Sequence, residues 1–364
     1  MKTLHWSKVF TFAGAIVAYL IGSGFASGQE AMQFLSAHGF WGCLGAVIMT
    51  ACIYFGFCSS IMTDGYNLQL SSPNDIFQYY CGKHLGLFFE IYTPIFLFCV
   101  YIVMLAGSGA ILNEYYGISL LWGRIGMALL SIVTVLMGLN GLVNVVSKIG
   151  PCIILFSVLV GVGSIILNPT GLWEADVILK NITVTKAAPN WFISGLIFPS
   201  MGCVMITPFL AKLGATASSR KEAKAGGIAG ALTFALAVSV FAFGLLANIG
   251  NLYDKNVPAL VIANQILPFI GAIFAIILIG GVYTTAVPML WLSCNRLFED
   301  EKSKQFRICA VVLTVVAFIL SRFPFAILVN VLYTITGYLG ILLVFCIFKK
   351  QITNHKEKLT NKQQ

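Results

Sequence analysis

An apolar run near the start of the chain is interrupted by the stretch Ala18-Tyr19-Leu20-Ile21-Gly22-Ser23-Gly24-Phe25-Ala26-Ser27-Gly28-Gln29-Glu30. Each of its three glycines weakens a helix by about 1 kcal/mol relative to alanine. At membrane depth, backbone groups freed by such a break are tolerated only where they are buried in protein or line a cavity. The stretch therefore predicts a discontinuous membrane helix whose outer half begins near Gly24. Close packing between helices through small residues is the alternative explanation.

The composition of the whole chain places this stretch in a membrane protein. Only 10% of the 364 residues are charged, against about 25% in soluble globular proteins. Hydrophobic residues make up 59% of the chain, and the mean hydropathy is +0.91. These values exclude a disordered chain, a nucleic-acid-binding domain and an ordinary soluble enzyme. The basic pI near 9.0 is typical of a membrane protein whose cytoplasmic loops collect Lys and Arg.

Ten segments of the chain are apolar and long enough to cross a bilayer as helices, which takes roughly 20 residues each. They lack the alternation of apolar and polar residues that marks the strands of a membrane β-barrel. The first segment also differs from a cleaved signal peptide, since it contains polar residues and nine further segments follow it. The predicted spans are 9–35, 39–63, 87–112, 119–138, 142–167, 191–212, 225–248, 268–297, 307–322 and 325–347.

The predicted fold class is an all-α integral membrane protein with a single domain over residues 1–364. No polar stretch is long enough to form a separate soluble domain. Two sets of five helices would form a 5+5 inverted repeat, with the first repeat at about 9–167 and the second at about 191–347. Residues 348–364 would form a cytoplasmic tail.

The distribution of positive charge predicts the orientation of the chain. With both termini in the cytoplasm, 17 of the 22 Lys and Arg residues fall on the inner side. The five on the outer side are Arg124, Lys180, Lys186, Lys255 and Arg322. Such an excess of inner Lys and Arg sets topology. We therefore expect a multi-pass protein of a bacterial cell membrane with both termini in the cytoplasm.

The sixth segment contains a second candidate break, Phe198-Pro199-Ser200-Met201-Gly202, with Pro208 further along. Proline inside a helix removes one hydrogen bond and clashes with the preceding turn. The first and sixth segments begin the two five-helix halves, and matched interruptions of this kind point to a transporter with a site at the midplane of the membrane. The sequence therefore predicts discontinuous helices 1 and 6, although Pro199 alone is equally consistent with a simple kink.

Two further segments contain candidate groups for a coupling ion. In the eighth segment, Gly281, Thr284 and Thr285 share one helix face, and their oxygens suit a small cation. The alternative is that both hydroxyls bond back to their own helix. In the fifth segment, Lys148 precedes Ile149-Gly150-Pro151. A lysine inside the membrane is a functional candidate by default, whereas at the helix end it would extend to the cytoplasmic surface.

These residues together resemble the amino acid–polyamine–organocation transporter superfamily, which has the LeuT-type fold of ten helices in a 5+5 inverted repeat. Within it, the stretch Gly22 to Glu30 is most similar to a family of bacterial amino acid permeases. The resemblance implies a substrate site formed by Gly22, Ser23, Gly24, Phe25, Phe198, Ser200 and Gly202. It implies that backbone amides at the first break hold a substrate carboxylate, and that Phe198 acts as an aromatic gate.

The resemblance implies two competing coupling sites. Thr284 and Thr285 look like the hydroxyl pair of a sodium site, which the carbonyl oxygens of Ala18, Ile21 and Gly281 would complete. Lys148 looks instead like the lysine of sodium-independent members, where the ammonium takes the place of the sodium ion. We favour the lysine slightly, and with it proton coupling or exchange.

The chain departs from the neurotransmitter-type sodium symporters at two positions. Phe25 stands where they have a sodium-binding asparagine, and Gly28 stands where they have the arginine of the outer gate. Glu30 is then the prominent acidic residue of the outer half. It is a candidate for proton relay or for binding a substrate amine, with a plain interfacial carboxylate as the alternative.

The predicted function is secondary active transport of a small solute, such as an amino acid or similar zwitterion, by alternating access. The alternative is an amino-acid-sensing receptor subunit on the same fold, without net transport. Residues Pro258–Gln265 would form a short outer helix over the vestibule. We expect no enzyme activity, no cofactor apart from Na⁺ as a candidate coupling ion, no nucleic acid and no obligatory protein partner, with the substrate and the lipid bilayer as the partners.

Overall fold

The computed structural model describes residues 5–70, 72–137, 142–298 and 300–360, and within these ranges it contains helices and turns but no strand. Eight helices are long and apolar enough to cross a membrane, and Trp6–Leu20 is a shorter apolar helix. The all-helical membrane class predicted from the composition is therefore confirmed.

The helices of the first half of the chain, numbered in order, are α1 (Trp6–Leu20), α2 (Ser23–Ala26), α3 (Gln29–Phe34), α4 (Gly39–Leu68), α5 (Asp75–Tyr116), α6 (Leu120–Met137), α7 (Leu142–Leu167) and α8 (Gly171–Asn181). Those of the second half are α9 (Trp191–Ala215), α10 (Arg220–Ala247), α11 (Ile249–Leu252), α12 (Pro258–Ile266), α13 (Pro268–Asn295), α14 (Lys304–Leu320), α15 (Phe325–Leu328) and α16 (Thr334–Thr360), with a π-helical turn at Val329–Tyr333 between the last two.

The predicted break in the first segment is confirmed, because three short helices replace one span. Helix α1 ends at Leu20, α2 is a single turn, and α3 follows after Ser27 and Gly28. The short helix predicted at Pro258–Gln265 is present as α12. Its proline occupies the first helical position, where the missing N–H has no helical partner to lose.

The predicted break in the sixth segment is wrong, because α9 runs continuously through both Pro199 and Pro208. A proline removes only its own hydrogen bond and crowds the carbonyl four residues earlier. The rest of the helix remains hydrogen-bonded, and neighbouring helices hold it in place. For example, Gly195, which lies four residues before Pro199, packs directly against Ala46 of α4.

Helices α1, α4, α9 and α10 pack closely through small residues. A methyl group added to Gly65 of α4 would overlap the backbone of Ala211 on α9, and one added to Gly227 of α10 would overlap the backbone of Cys58 on α4. Similarly, Gly230 of α10 lies against Ile16 of α1. Glycine allows this close approach of helix backbones in a membrane. The four helices therefore form one tightly packed group, which contains the interrupted first helix.

Candidate functional site

The interruption of the first helix is a pair of turns on either side of α2. The N–H of Ile21 still donates to Val17 at 2.8 Å, and that of Ala26 donates to Gly22 at 3.0 Å. At the second turn, Gly28 has φ of +93°, in the left-handed region that favours glycine. The Ser27 hydroxyl donates to the carbonyl of Gly24 at 2.6 Å. The chain is thus bent twice within eight residues and both bends are stabilised locally.

The outer half of the first segment begins near Gly24, as predicted, but it is divided in two. The outer part consists of the four-residue α2 and the six-residue α3. A helix macrodipole results from many aligned peptide units, and neither piece provides them. Binding of a substrate carboxylate by backbone amides at the break remains a prediction.

Glu30 folds back from α3 onto the break. A Cβ atom built on Gly24 would collide with Glu30 Oε1, and it would also lie 3.3 Å from the Met104 methyl and 3.5 Å from the Tyr333 hydroxyl. Glu30 is buried, with 7% of its surface exposed. Helices α2, α3 and α5 and the π-helical turn therefore meet at this carboxyl group.

The Glu30 carboxyl group has no ion-pair partner among the described side chains. The described residues form three ion pairs, and none of them includes Glu30. They are Lys8–Glu222, Lys255–Asp254 and Arg296–Glu90. Burial of an ionised carboxylate without a positive partner is strongly unfavourable. Ionisable groups buried in membrane proteins in this way commonly lie on proton or ion pathways.

The three predicted residues of the sixth segment fall on two faces of α9. Gly202 lies against Leu20 at the end of α1 and against the Tyr54 hydroxyl of α4. Ser200 is buried against Gly340 of α16, and Phe198 packs on Phe34 of α3 with 5.7 Å between ring centroids. Residues four apart lie on the same face of a helix, so Phe198 and Gly202 both face the first segment, one turn apart, while Ser200 faces α16. Gly202 is the one of the three that lies at the break itself.

Phe25 lies in an aromatic cluster with α10. Its ring centroid is 5.1 Å from that of Phe241 and 6.3 Å from that of Phe234. The side chain is almost fully buried. Its role in this structure is packing between α2 and α10. A role for Phe25 in substrate binding remains a prediction.

Of the predicted sodium ligands on α13, Thr285 lies next to the break. Thr285 Oγ1 is 3.7 Å from a Cβ position built on Gly22. Both hydroxyls, Thr284 at 3.0 Å and Thr285 at 2.9 Å, donate to the carbonyl of Gly281. The back-bonded arrangement considered as the alternative is therefore present. The hydroxyl lone pairs remain available to a cation, so the sodium site stays a prediction, together with the carbonyl ligands Ala18 and Ile21.

Helix α7, formed by the fifth segment, contacts both α1 and α13 near these threonines. Gly150 of α7 lies next to Ala18, since a Cβ at Gly150 would be 3.6 Å from the alanine methyl. Ile149 of α7 contacts Gly280 of α13. Lys148 lies on α7 next to this contact, but its side chain is outside the described residues, as is that of Ser23. The competition between lysine and sodium therefore remains a prediction.

The break is enclosed in this structure. One recess of about 140 Å³ lies above it, on the side predicted to be outer, and is lined by residues that include Gln29, Gln33 and Lys255. Another of about 200 Å³ lies beside Gly65 and Lys212. Neither recess is lined by the glycines of the break or by the Glu30 carboxyl group. Among the described residues, no cluster of three or more His, Cys, Asp and Glu side chains could hold a metal ion.

Sequence reasoning missed Tyr333, Met104 and Tyr54 as neighbours of the break. Each lies in an apolar segment more than 20 residues from the interruption. A π-helical turn brings Tyr333 to its position. Such turns are frequent at functional sites, but this one has no proline or glycine within it to signal it.

Comparison with known proteins begins with the sequence. No protein-family model matches the chain. It is 25% identical over 343 residues to "Uncharacterized protein YyaD" of Bacillus subtilis (strain 168). The aligned region covers 94% of this chain and 96% of that protein. It is 24% identical over 349 residues to "Uncharacterized membrane protein YkvI" of the same organism, with 94% of each covered.

Comparison with solved structures identifies the fold. The chain superimposes on MhsT, solved in complex with L-phenylalanine, with a TM-score of 0.61, 16% identity and coverage of 90% of this chain and 87% of that one. For a manganese transporter of Eremococcus coleocola the TM-score is 0.56 at 13% identity, covering 93% and 78%. For inward-facing Mhp1 it is 0.55 at 16% identity, covering 93% and 75%. The chain thus has the LeuT-type fold of these proteins.

Proposed function

We propose that the protein is a secondary active transporter that moves an amino acid or a similar small zwitterion by alternating access. The observation that carries the proposal is the doubly interrupted first helix, whose break encloses a buried carboxyl group within a LeuT-type fold. Interrupted helices at the middle of the membrane are where transporters of this kind place their substrates. An amino acid would bind between α2, α9 and α13.

The finer topology belongs to the same proposal. Ten spans in a 5+5 inverted repeat would be formed by α1 to α3 together, α4, α5, α6, α7, α9, α10, α13, α14 and α15 to α16. Both termini would lie in the cytoplasm of a bacterial cell, in accord with the distribution of Lys and Arg. The closely packed group α1, α4, α9 and α10 would rock against the remaining helices, exposing the break to each side in turn.

Proton coupling through Glu30 is the mechanism that we favour. A carboxyl group buried without a positive partner is most easily accommodated when it carries a proton. Opening toward either solution would let Glu30 gain or lose this proton, so that solute and proton cross together. The back-bonded hydroxyls of Thr284 and Thr285 give weaker support to the sodium alternative.

Uptake by purified protein in proteoliposomes tests the proposed function. We expect radiolabelled amino acids to accumulate inside vesicles under an inward proton gradient and to exchange with unlabelled internal substrate. A thermal-shift screen against the amino acids, with and without sodium, would first identify the substrate. Binding without accumulation or exchange would reject transport and favour the sensing receptor instead.

A comparison of Thr285→Val and Lys148→Met separates the three coupling mechanisms. If Glu30 carries the proton, we expect sodium-independent uptake that survives Thr285→Val, because no ion would bind the lost hydroxyl. Thr314→Val is the matched control, since this buried hydroxyl also bonds back to its helix, at 2.7 Å to Ala310. Sodium-driven uptake that Thr285→Val abolishes would contradict proton coupling. Loss of pH dependence in Lys148→Met with retention in Glu30→Gln would assign the proton to the lysine.

A further inference from the structure

Two side-chain amides on α3, those of Gln29 and Gln33, are hydrogen-bonded to each other and to neighbouring segments. Gln33 Nε2 donates to Gln29 Oε1 at 2.8 Å and to the carbonyl of Ala326 at 2.9 Å. Gln29 Nε2 donates in turn to the carbonyl of Lys255. Through these bonds, α3 is joined to the loop before α12 and to α15.

A third amide extends this network to another segment. Asn330 Nδ2, in the π-helical turn, donates to Gln33 Oε1 at 3.0 Å and to the carbonyl of Lys186 at 3.1 Å. The backbone is tied as well, because the N–H of Ala187 donates to the carbonyl of Gln33 at 3.1 Å. Helix α3 is therefore held by three segments that are far apart in sequence.

The network is formally neutral, and its two glutamines are buried while Asn330 is half-buried. Gln33 is 1% exposed and Gln29 is 5% exposed, and each amide has partners within the network. Buried polar groups that are fully hydrogen-bonded hold one arrangement firmly, whereas breaking them apart without replacement is unfavourable.

We propose that Gln29, Gln33 and Asn330 form an amide latch that closes the outer side of the break without an ion pair. The role of the latch in admitting solute rests on the proposed transport function, but its existence does not. If the hydrogen bonds of the three amides break together, α3 is no longer held by these bonds to Lys186, Lys255 and Ala326. This movement would uncover Glu30 and the break from the side predicted to be outer.

Hydrogen exchange of the protein in lipid nanodiscs tests the latch without any transport measurement. The variant Gln33→Met keeps the length of the side chain and removes both the donor and the acceptor. Because each lost hydrogen bond contributes about 0.5–1.5 kcal/mol, we expect exchange in peptides covering 182–190 and 255–262 to accelerate by about 2- to 13-fold. The amides of Ala187 and Ala259 report directly, since Ala259 N–H donates to Ser27 at 3.1 Å.

The same substitution at Gln351 is the matched control. Gln351 Nε2 donates to Asp64 Oδ2 at 2.7 Å and to the Tyr80 hydroxyl at 3.3 Å, at a cluster that contains none of the latch residues. Gln351→Met should therefore accelerate exchange around residues 64–80 and leave 182–190 and 255–262 unchanged. Equal acceleration of the latch peptides in both variants, or no acceleration in Gln33→Met, would overturn the proposal.

Asn330→Leu provides a graded second variant if Gln33→Met does not fold. This variant breaks the bond to Lys186 but keeps those between Gln33, Gln29 and Ala326, so we expect the larger effect at 182–190 and the smaller one at 255–262. Since the latch is neutral, the acceleration that Gln33→Met causes in both peptides should be the same at low and high ionic strength; the Lys255–Asp254 ion pair is present in the variant and in the unmodified protein alike. A strong salt dependence there would indicate an ionic gate and reject the amide latch. An intact latch in a protein that shows no uptake would contradict only the proposed transport.

Discussion

Replacing Glu30 with glutamine is expected to abolish uptake driven by a proton gradient while preserving exchange of internal for external substrate. Glutamine has nearly the same size as glutamate, but it cannot release a proton. Exchange needs only that the loaded site opens to each side in turn. Net proton-driven movement, in contrast, requires the carboxyl group to lose its proton on the inner side.

Binding measurements give the same prediction in equilibrium terms. Proton and substrate are two ligands whose affinities are linked, and such coupling commonly amounts to about 5- to 150-fold. Substrate affinity in the unmodified protein should therefore rise as the pH falls, because protonation removes a buried charge from the site. In Glu30→Gln this dependence should disappear and the affinity should stay near its low-pH value.

A second buried carboxylate provides the control for this experiment. Glu90 accepts a hydrogen bond from Gln78 at 2.8 Å and has Arg296 at 3.9 Å, so it has a positive partner that Glu30 lacks among the described residues. Glu90→Gln should leave the pH dependence of substrate affinity intact. Proton-driven accumulation that survives in Glu30→Gln would remove Glu30 from the coupling mechanism.

The existence of the first break could be predicted from sequence because its cause is local. Three glycines between Gly22 and Gly28 disfavour a helix whatever surrounds them. The second bend, at Gly28, was not predicted. Whether a glycine adopts the left-handed conformation depends on which distant residues pack against it in the folded protein. Here those contacts are with Pro258 and Ala259 of α12, more than 200 residues away.

The sixth segment shows the opposite case, in which a strong local signal was overridden. Pro199 and Pro208 each remove one hydrogen bond, but α9 is held by α4 and α16 along its length. Gly340 of α16, for example, packs on the backbone of Ser200. Tertiary packing therefore maintains a continuous helix, and the predicted matched pair of breaks does not exist in this structure.

The surroundings of Glu30 could not be predicted from sequence at all. Met104 lies on α5 and Tyr333 in a π-helical turn, and both belong to unbroken apolar runs. Periodicity identifies which residues share a helix face, but it does not identify which helix faces which. The sequence therefore identified Glu30 as unusual without showing that it folds back onto Gly24.

Substitution of Gly24 with alanine is the most direct perturbation of this contact, and we expect it to weaken substrate binding strongly. The added methyl group would collide with the Glu30 carboxyl group and crowd Met104 at 3.3 Å. Overpacking of this kind destabilises a folded arrangement by about 1–3 kcal/mol. If the closed, substrate-bound site bears this strain and the open site relieves it, substrate affinity falls by about 5- to 150-fold. Isothermal titration with the substrate identified by the thermal-shift screen would measure the loss.

Gly14→Ala is the matched control, because no atom lies within 4 Å of a Cβ at Gly14 of α1. Both substitutions add one methyl group to a glycine of the first segment, so the difference between them reports mainly the collision at the break. Unchanged affinity in Gly24→Ala would show that the substrate binds elsewhere.

A double-mutant cycle would then determine whether Glu30 is the group displaced. If the methyl group at position 24 acts by pushing the carboxyl group aside, shortening that side chain with Glu30→Ala should relieve most of the thermal destabilisation caused by Gly24→Ala. Contacting residues typically show interaction energies of about 0.5–3 kcal/mol in such cycles. Additive effects on the unfolding temperature would mean that Glu30 and Gly24 are not in contact, and the carboxyl group would have to be placed away from the break.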